Sequence, residues 1–165
     1  MRRPVWSRAA NFSRRRGWVR VELIVFVGLQ AAGKSTYYRT HFAATHVHVS
    51  KDLMKNVRNR DARQLQTIDE ALAAGRSAVV DNTNPTPLLR APLVELGRGH
   101  GARIVAMFFE CSVRAAVGRN RAREGNERVP DVAIFTTAKK LVPPTVEEGF
   151  DEVRVIAPFA VDAVQ

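Results

Sequence analysis

Residues Val21–Thr36 read VELIVFVGLQAAGKST. A run of apolar and β-branched residues, 21–27, precedes Gly28, and residues 28–35 fit the pattern G-x-x-x-x-G-K-[ST]. Backbone N–H groups that curl around a phosphate need glycine where the chain approaches most closely, and the dipole of the following helix adds positive potential. The stretch therefore predicts a buried strand, a phosphate-binding loop and a first helix.

Two side chains of this loop carry specific expectations. Lys34 is expected to reach the β- and γ-phosphates of ATP, and the Ser35 hydroxyl to hold Mg²⁺. The expected nucleotide-binding residues are the whole loop, namely Gly28, Leu29, Gln30, Ala31, Ala32, Gly33, Lys34, Ser35 and Thr36. The alternative is an ordinary glycine-bearing turn between a strand and a helix, without a ligand.

Length and composition favour one domain with a core, since the chain has 165 residues of which 45% are hydrophobic. The single cysteine, Cys111, cannot form an internal disulfide, which favours a reducing compartment and a cytoplasmic protein. No apolar run approaches the ~20 residues that cross a bilayer, so no membrane partner is expected.

The positive charge is concentrated at one end of the chain. Residues 1–20 contain seven arginines and no acid, so they contribute +7 of the formal +10, and residues 21–165 contribute +3. Residues 1–20 are interpreted as a basic extension. The alternatives for it are a disordered segment, an arm that binds nucleic acid or a membrane surface, and a transit-like segment. The domain is expected to occupy residues 21–165.

Strand and helix patterns alternate after the loop. Strands are predicted at 21–27, 46–50, 77–80, 104–109 and 153–156. Helices are predicted from Ser35, over 61–74, after Pro87 with a kink or late start at Pro92, after an N-cap at Ser112, and after an N-cap at Asp131. This alternation predicts a three-layer α/β domain with a parallel sheet of about five strands.

Two aspartates follow strands at the edge where such sheets bind ligands. Asp52, after the second strand, is the candidate general base that would take a proton from an acceptor hydroxyl. Its alternative role is a helix N-cap. Asp81 ends the third strand as a magnesium-binding acid does, and its alternative is an Asx-turn. His46 and His48 fall on one face of the second strand, which is interpreted as half-solvated rather than metal-binding.

The run RNRAREGNER, Arg119–Arg128, predicts a helical lid. Arginines on a mobile segment over the phosphates can lower the barrier to phosphoryl transfer, and the Glu-Gly-Asn-Glu interruption suits a hinge between two helices. Arg119 is expected to contact the nucleotide. The alternative is a solvated helical face.

Five segments together resemble the kinase domain of the polynucleotide kinases, over residues 21–159. They are GLQAAGKST, HVHVSKDLM, EALAAGRSAVVDNTNP, RNRARE and PPTVEEGF. The first is shared by many phosphate-loop proteins, whereas DNTNP and P-T-x-x-E-G-F are more selective. The chain has no D-x-D-x-[TV] motif, so a companion phosphatase activity is not expected.

The resemblance implies a kinase with the fold of a P-loop kinase that uses ATP and Mg²⁺. Its partners would be nucleic acids, because the γ-phosphate would be transferred to the 5′-hydroxyl of DNA or RNA. It assigns Lys34 and Ser35 to the nucleotide and metal, Asp52 to the base, Asp81 to the metal, and Arg123 to the lid. The residues expected at the acceptor are Lys51, Lys55, Thr83 and Asn84.

Three departures from the family pattern stand out. Lys51 and Lys55 replace arginines, which keeps the charge but loses the bidentate fork for a phosphate. Gln30-Ala31 occupies loop positions where Pro-Gly or a similar pair is usual. Two alternative functions remain: a kinase of a small metabolite, because fold does not determine the acceptor, and a non-catalytic nucleotide-binding adaptor.

Overall fold

The strand that precedes the phosphate loop lies in the middle of a five-stranded sheet. The computed structural model describes residues 20–158. Within them the strands pair in parallel in the order β2-β3-β1-β4-β5. Their bounds are β1 (Glu22–Val27), β2 (Val47–Val49), β3 (Ala78–Val80), β4 (Arg103–Phe109) and β5 (Glu152–Ile156). The predicted parallel sheet is confirmed.

Helices supply the crossovers that parallel strands require. Their bounds are α1 (Lys34–His41), α2 (Arg60–Ala73), α3 (Pro87–Gly99), α4 (Val113–Arg121) and α5 (Asp131–Lys140). Three short 3₁₀ turns lie at Lys51–Leu53, Gly125–Glu127 and Val146–Glu148. The predicted alternation of strands and helices is therefore confirmed along the described chain.

Alternate side chains of β1 pack in two hydrophobic clusters, one on each face of the sheet. Leu23, Val25 and Val27 pack in a cluster with side chains of α2 and α3. Ile24 and Phe26 pack on the opposite face, in a cluster that contains Tyr38 of α1. A strand covered on both faces must be apolar throughout, which explains the uninterrupted run in the sequence. The three-layer arrangement is confirmed.

The two predicted caps around the lid have different outcomes. Ser112 caps α4, since its hydroxyl accepts a hydrogen bond from the Ala115 N–H at 3.1 Å. The prediction for Asp131 is wrong, because Pro130 occupies the N-cap position and Asp131 is the first residue of α5. The Asp131 carboxylate instead accepts hydrogen bonds from Asn120 and Arg121 of α4. It therefore joins the two helices rather than capping one.

Helix α3 does not start late at Pro92, as one reading of the sequence proposed. Thr86 caps it, Pro87 occupies its first turn, and the helix continues through Pro92 to Gly99. Proline is favourable in the first turn because its missing N–H has no helical partner there. At Pro92 the missing donor leaves the Leu88 carbonyl without its helical hydrogen bond.

The arginine-rich extension predicted at residues 1–20 lies, apart from Arg20, outside the described residues. Across 20–158, no helix has the length and apolar character that crossing a membrane requires.

Candidate active site

The phosphate loop connects β1 to α1, and a backbone hydrogen bond joins it to the loop after β3. The Gly28 N–H donates a hydrogen bond to the Thr83 carbonyl at 3.1 Å. A Cβ on residue 28 would lie 2.9 Å from the carbonyl oxygen of Phe109, so glycine is required for packing. Gly33 caps α1 with a φ of 93°. The loop glycines therefore serve both close approach and a left-handed backbone.

Ala31 is the unusual member of this loop. Its φ is 59°, a left-handed conformation that a side chain with a Cβ disfavours by about 1–2 kcal/mol. The departure from the Pro-Gly pattern noted in the sequence therefore has a physical consequence: an alanine occupies a backbone position suited to glycine.

Lys34 lies inside the loop rather than in solvent. Its side-chain ammonium donates hydrogen bonds to the carbonyls of Gly28 at 3.0 Å and Leu29 at 2.5 Å, and the residue is 8% exposed. Burial lowers the pKa of Lys34 to about 8, although the nearby Asp81 carboxylate acts in the opposite direction. The loop carbonyls thus hold a cation at the point where phosphate oxygens are expected.

Buried Asp81 forms the centre of a polar cluster with Ser35, which is exposed, and His48, which is intermediate in exposure. Its carboxylate accepts a hydrogen bond from the Ser35 hydroxyl at 2.7 Å, and the same oxygen lies 2.9 Å from His48 Nε2. Its side chain is 3% exposed. These contacts, rather than an Asx-turn, account for its position after β3.

The ring of His48 stacks on Tyr38 of α1, with ring centroids 3.9 Å apart. The ring of His46 packs against Phe42, and only 8% of its side chain is exposed. Both histidines are intermediate in exposure, and 25% of the His48 side chain is exposed. The interpretation as a half-solvated strand face therefore holds for His48 and is wrong for the side chain of His46. Helix α1 covers that face of β2, which periodicity within the strand could not indicate.

Ser35 and Asp81 fit a magnesium ion by their chemistry. Hydroxyl and carboxylate oxygens are hard ligands, and Mg²⁺ is commonly held by one or two protein groups together with phosphate and water. Within residues 20–158 no group of three or more His, Cys, Asp or Glu side chains could hold a metal ion. A dedicated cage of that kind is not needed for a nucleotide-bound Mg²⁺.

Asp52 opens onto a cavity of about 500 Å³ beyond the carboxyl ends of β2 and β3. It lies in the 3₁₀ turn after β2 and is exposed. The N-cap of this turn is Ser50, whose hydroxyl accepts a hydrogen bond from the Asp52 N–H at 3.3 Å. The alternative role of Asp52 as an N-cap is therefore wrong. Its side chain lines the cavity instead.

Asp52 and Arg123 both lie near Lys34. Besides burial and Asp81, the charge of Arg123 lowers the pKa of Lys34 and that of Asp52 raises it. Asp52 in the turn after β2 and Arg123 in the lid segment are thus each within electrostatic reach of Lys34. The sequence had placed these three residues in a single site.

The lid is built from α4, the turn at Gly125–Glu127 and α5. The guanidinium of Arg119 reaches the Ala31 carbonyl of the phosphate loop at 3.5 Å and the Cys111 sulfur at 3.8 Å. Arg123 donates to the Glu127 carbonyl at 3.3 Å. Asn120 is fully buried and its amide donates to the Val129 carbonyl at 2.7 Å. Arg119 therefore lies at the loop, while Arg123 is held within the turn.

The four residues expected at the acceptor occupy different places. Thr83 and Asn84 line the cavity, but the buried Asn84 amide also donates to the Phe26 carbonyl at 2.8 Å. Lys51 lines it too, with its ammonium 2.5 Å from the Asp61 carboxylate. Lys55 is exposed and lies outside the lining.

Sequence reasoning missed two groups that shape this site. Asn82 accepts a hydrogen bond from the Lys51 N–H at 3.0 Å and donates to Gln64 at 2.5 Å, joining the loops after β2 and β3 to α2. Arg90 is fully buried and binds Glu148 through two hydrogen bonds of 2.7 and 2.6 Å. Asn82 belongs to the DNTNP motif, and that motif was a signal that could have pointed to it. The pair of Arg90 and Glu148 had no such signal, because the two residues are 58 positions apart in the chain and no local pattern connects them.

Comparison with known proteins agrees with this geometry. The family model described as AAA domain matches residues 23–144. A bifunctional polynucleotide phosphatase/kinase of Schizosaccharomyces pombe is 28% identical over 142 residues, which are 84% of this chain and 34% of that protein. The chain spans about a third of the length of the curated relatives that it matches.

Two solved structures share the fold at lower identity. Kti12 of Chaetomium thermophilum, in complex with ADP-AlF3, superposes with a TM-score of 0.68 at 18% identity, over 82% of this chain and 89% of that one. A chain of the Pnkp1/Rnl/Hen1 RNA repair complex gives 0.63 at 21% identity, over 81% and 47%. The resemblance to polynucleotide kinases is thus confirmed, and the chain belongs to the AAA domain family with the fold of a P-loop kinase.

Proposed function

We propose that this protein is an ATP-dependent polynucleotide 5′-hydroxyl kinase. The observation that carries the proposal is the position of Asp52, which lines the cavity beyond the strand ends and lies near Lys34 of the phosphate loop. A hydroxyl held in that cavity would lie between a carboxylate and a loop that binds phosphate. The relatives named polynucleotide phosphatase/kinase support nucleic acid as the acceptor.

Each residue of the site has a step in this reaction. The carboxylate of Asp52 would accept the proton of the 5′-hydroxyl as the hydroxyl oxygen bonds to the γ-phosphorus and the bond from that phosphorus to the leaving ADP breaks, a role that contributes about 10²–10⁴ in rate. Lys34 would turn its ammonium from the loop carbonyls to phosphate oxygens. Arg119 and Arg123 would close on the transferred group as the charge spreads. Mg²⁺, when bound by Ser35 and Asp81, neutralises phosphate charge.

The acceptor residues anticipated from the sequence have unequal support. Thr83, Asn84 and Lys51 line the cavity, so they are proposed to shape the acceptor site. Lys55 is proposed to contact the acceptor outside it.

The replacement Asp52→Asn tests this reaction directly. The amide keeps the size of the side chain but cannot take a proton, so transfer to a 5′-hydroxyl oligonucleotide should fall by at least about 100-fold. The affinity for ATP should stay within about twofold, because Asp52 does not belong to the phosphate loop. The measurement is transfer of labelled γ-phosphate, with ATP affinity determined separately by titration.

Asp61→Asn is a matched control for this experiment. Asp61 also lines the cavity and is 79% exposed, but its carboxylate pairs with Lys51. Its replacement should change kcat by less than about threefold. Transfer by Asp52→Asn at the rate of the unmodified protein would show that Asp52 is not the base.

A small-metabolite kinase is the second candidate, because the cavity lining includes several apolar side chains and only one lysine. The same assay separates the two candidates when an oligonucleotide and a panel of hydroxyl metabolites compete for labelled ATP. Label found only on metabolites would exclude the polynucleotide. Tight ATP binding without transfer to any acceptor would instead favour the adaptor.

A further inference from the structure

His48 is a polar side chain of the site that has no step in the reaction proposed above. It lies in the middle of β2, and its Nε2 is 2.9 Å from Asp81 Oδ2. A carboxylate has no hydrogen to donate, so Nε2 of the ring carries the hydrogen of this bond. The Ser35 hydroxyl donates to the same oxygen at 2.7 Å. One oxygen of the buried Asp81 carboxylate is therefore held by two donors from different elements.

The pairing of two strands determines where His48 meets Asp81. His48 is paired in register with Val79 of β3, and Asp81 follows two residues later. The Asp81 N–H donates to the Val49 carbonyl at 2.8 Å, so the backbone pairing continues to Asp81. Side chains two residues apart on a strand point to the same face, which here is the face that α1 covers. The contact is thus set by strand register and does not depend on a long loop.

The ring of His48 is held in place by Tyr38 of α1. The two rings stack with an angle of 12° between their planes. Tyr38 is itself buried, and its hydroxyl donates to the His46 carbonyl at 2.8 Å, directly before β2. A ring that is stacked on an anchored partner offers its N–H in a narrow range of directions. His48 is therefore a preorganised donor for Asp81 rather than a mobile surface group.

Ser35 and His48 differ in what else they are expected to do. The Ser35 hydroxyl is expected to bind Mg²⁺, so its oxygen does not serve the Asp81 carboxylate alone. His48 has no such second task. Hydrogen bonds to a metal-binding carboxylate hold it in the orientation that the ion requires, and the loss of such a partner costs about 10–100-fold in metal affinity.

We propose that His48 is a positioning residue of the magnesium site, which holds the Asp81 carboxylate through Nε2 in the orientation that binds the ion. The proposal rests on the function proposed above, in which Ser35 and Asp81 bind Mg²⁺ together with ATP. It requires no change of charge on His48, because a neutral ring with its hydrogen on Nε2 supplies the donor. The stacking on Tyr38 aims this donor at the carboxylate.

The experiment compares nucleotide affinity with and without the metal ion. An ATP analogue that resists transfer is titrated in EDTA and in Mg²⁺, and the ratio of the two Kd values measures the contribution of the ion. His48→Phe keeps a ring that can stack on Tyr38 but removes the donor, so this ratio should fall by about tenfold. The Kd in EDTA should change by less than about twofold, because the phosphate loop itself is untouched. A general loss of structure would instead weaken binding in both solutions.

His48→Gln tests whether the donor is what matters. Its amide N–H lies close to the position of Nε2 without the ring, so the ratio should stay within about threefold of that of the unmodified protein. His46→Phe is the matched control, because His46 is two residues away on the same face but its Nε2 lies 3.5 Å from the Glu22 carboxylate. It should leave the ratio within about twofold.

The outcomes separate this inference from the proposed function. An unchanged ratio in His48→Phe, or an equal fall in His48→Phe and His48→Gln, would overturn the role of His48 alone. A ratio near one in the unmodified protein would overturn the magnesium site proposed above, and this inference with it. The titration needs no acceptor, so it tests His48 even if transfer to an oligonucleotide fails, a result that would contradict only the kinase function.

Discussion

At the residue scale, Ala31 is the position where side chain and backbone conflict. Its φ of 59° suits glycine. We predict that Ala31→Gly raises the free energy of unfolding by about 0.5–1 kcal/mol, because relief of about 1–2 kcal/mol of strain exceeds the extra entropy of glycine in the unfolded chain. Denaturant unfolding measures the change.

Ala32→Gly is the control for this prediction. Ala32 is equally buried and is not among the residues with a positive φ. Its replacement should lower the free energy of unfolding by about 1 kcal/mol. Losses of similar size in the two variants would show that residue 31 carries no relievable strain.

We expect nucleotide binding to depend on pH through the charge of Lys34. Burial lowers its pKa to about 8, so in the free protein the ammonium is present below that pH and is lost above it. Because the ammonium is expected to bind phosphate, the Kd of ATP should rise by about tenfold between about pH 7 and pH 9. Burial raises the pKa of the neighbouring Cys111, so its thiol ionises less readily than that of a free cysteine.

Titration with an ATP analogue that resists transfer, at several pH values, tests this expectation. Lys34→Ala should bind weakly, with a Kd that changes little over the same range. A Kd of the unmodified protein that stayed constant up to pH 9 would contradict the assignment of the phosphate cation to Lys34.

At the scale of elements, the buried Arg90 connects α3 to the loops around the site. Its guanidinium donates to the carbonyls of Asn84 at 2.9 Å and Val142 at 3.0 Å, in addition to its pairing with Glu148. Asn84 in turn donates to the Phe26 carbonyl at the end of β1. Arg90 therefore joins the segment after α5 to the loop after β3, and Asn84 joins that loop to β1, which leads into the phosphate loop.

Glu148→Ala should lower the free energy of unfolding by about 3 kcal/mol. Removal of the carboxylate leaves the guanidinium of Arg90 buried without its counter-charge, which costs more than the loss of a surface pair. Glu152→Ala is the comparison, because Glu152 pairs at the surface with Arg103 and Arg154, and its removal should cost clearly less than that of Glu148. Equal losses in denaturant unfolding would contradict the importance of burial.

At the scale of the whole molecule, the hydrophobic clusters adjoin one another. A third cluster, formed by the phosphate loop and the lid helices, consists of Leu29, Ala116, Val117 and Ile134. Partly buried Cys111 packs on this third cluster and on the cluster that contains Tyr38 of α1. Partly buried Leu141 packs on the third cluster and on the cluster with side chains of α2 and α3. We therefore expect one cooperative unfolding transition for the domain. ATP at about 100 times its Kd should add about 2.7 kcal/mol of stability.

Circular dichroism during denaturation, with and without ATP and Mg²⁺, measures this effect. Lys34→Ala should abolish most of the stabilisation while retaining a single transition. Two separate transitions would show that the lid and the sheet fold as independent units.

Much of the site could be predicted because its residues fall at strand ends. Lys34, Ser35, Asp52 and Asp81 all follow predicted strands, and parallel strands bring such positions to the same edge of a sheet. The lid was predictable as a basic, interrupted helical segment. The contacts of His48 and the pairing of Lys51 with Asp61 were not, because they depend on which helix covers a strand and on the path of the chain after it.

The sequence by itself determined the order of strands and helices and the phosphate loop, because both follow from local hydrophobic periodicity and the conformational demands of glycine. Only the tertiary structure decided the shape and charge of the acceptor cavity, the strained conformation of Ala31 and the burial of Arg90 beside Glu148. These features depend on the distances between segments far apart in the chain and on the solvent removed between them, and neither is encoded in any local pattern.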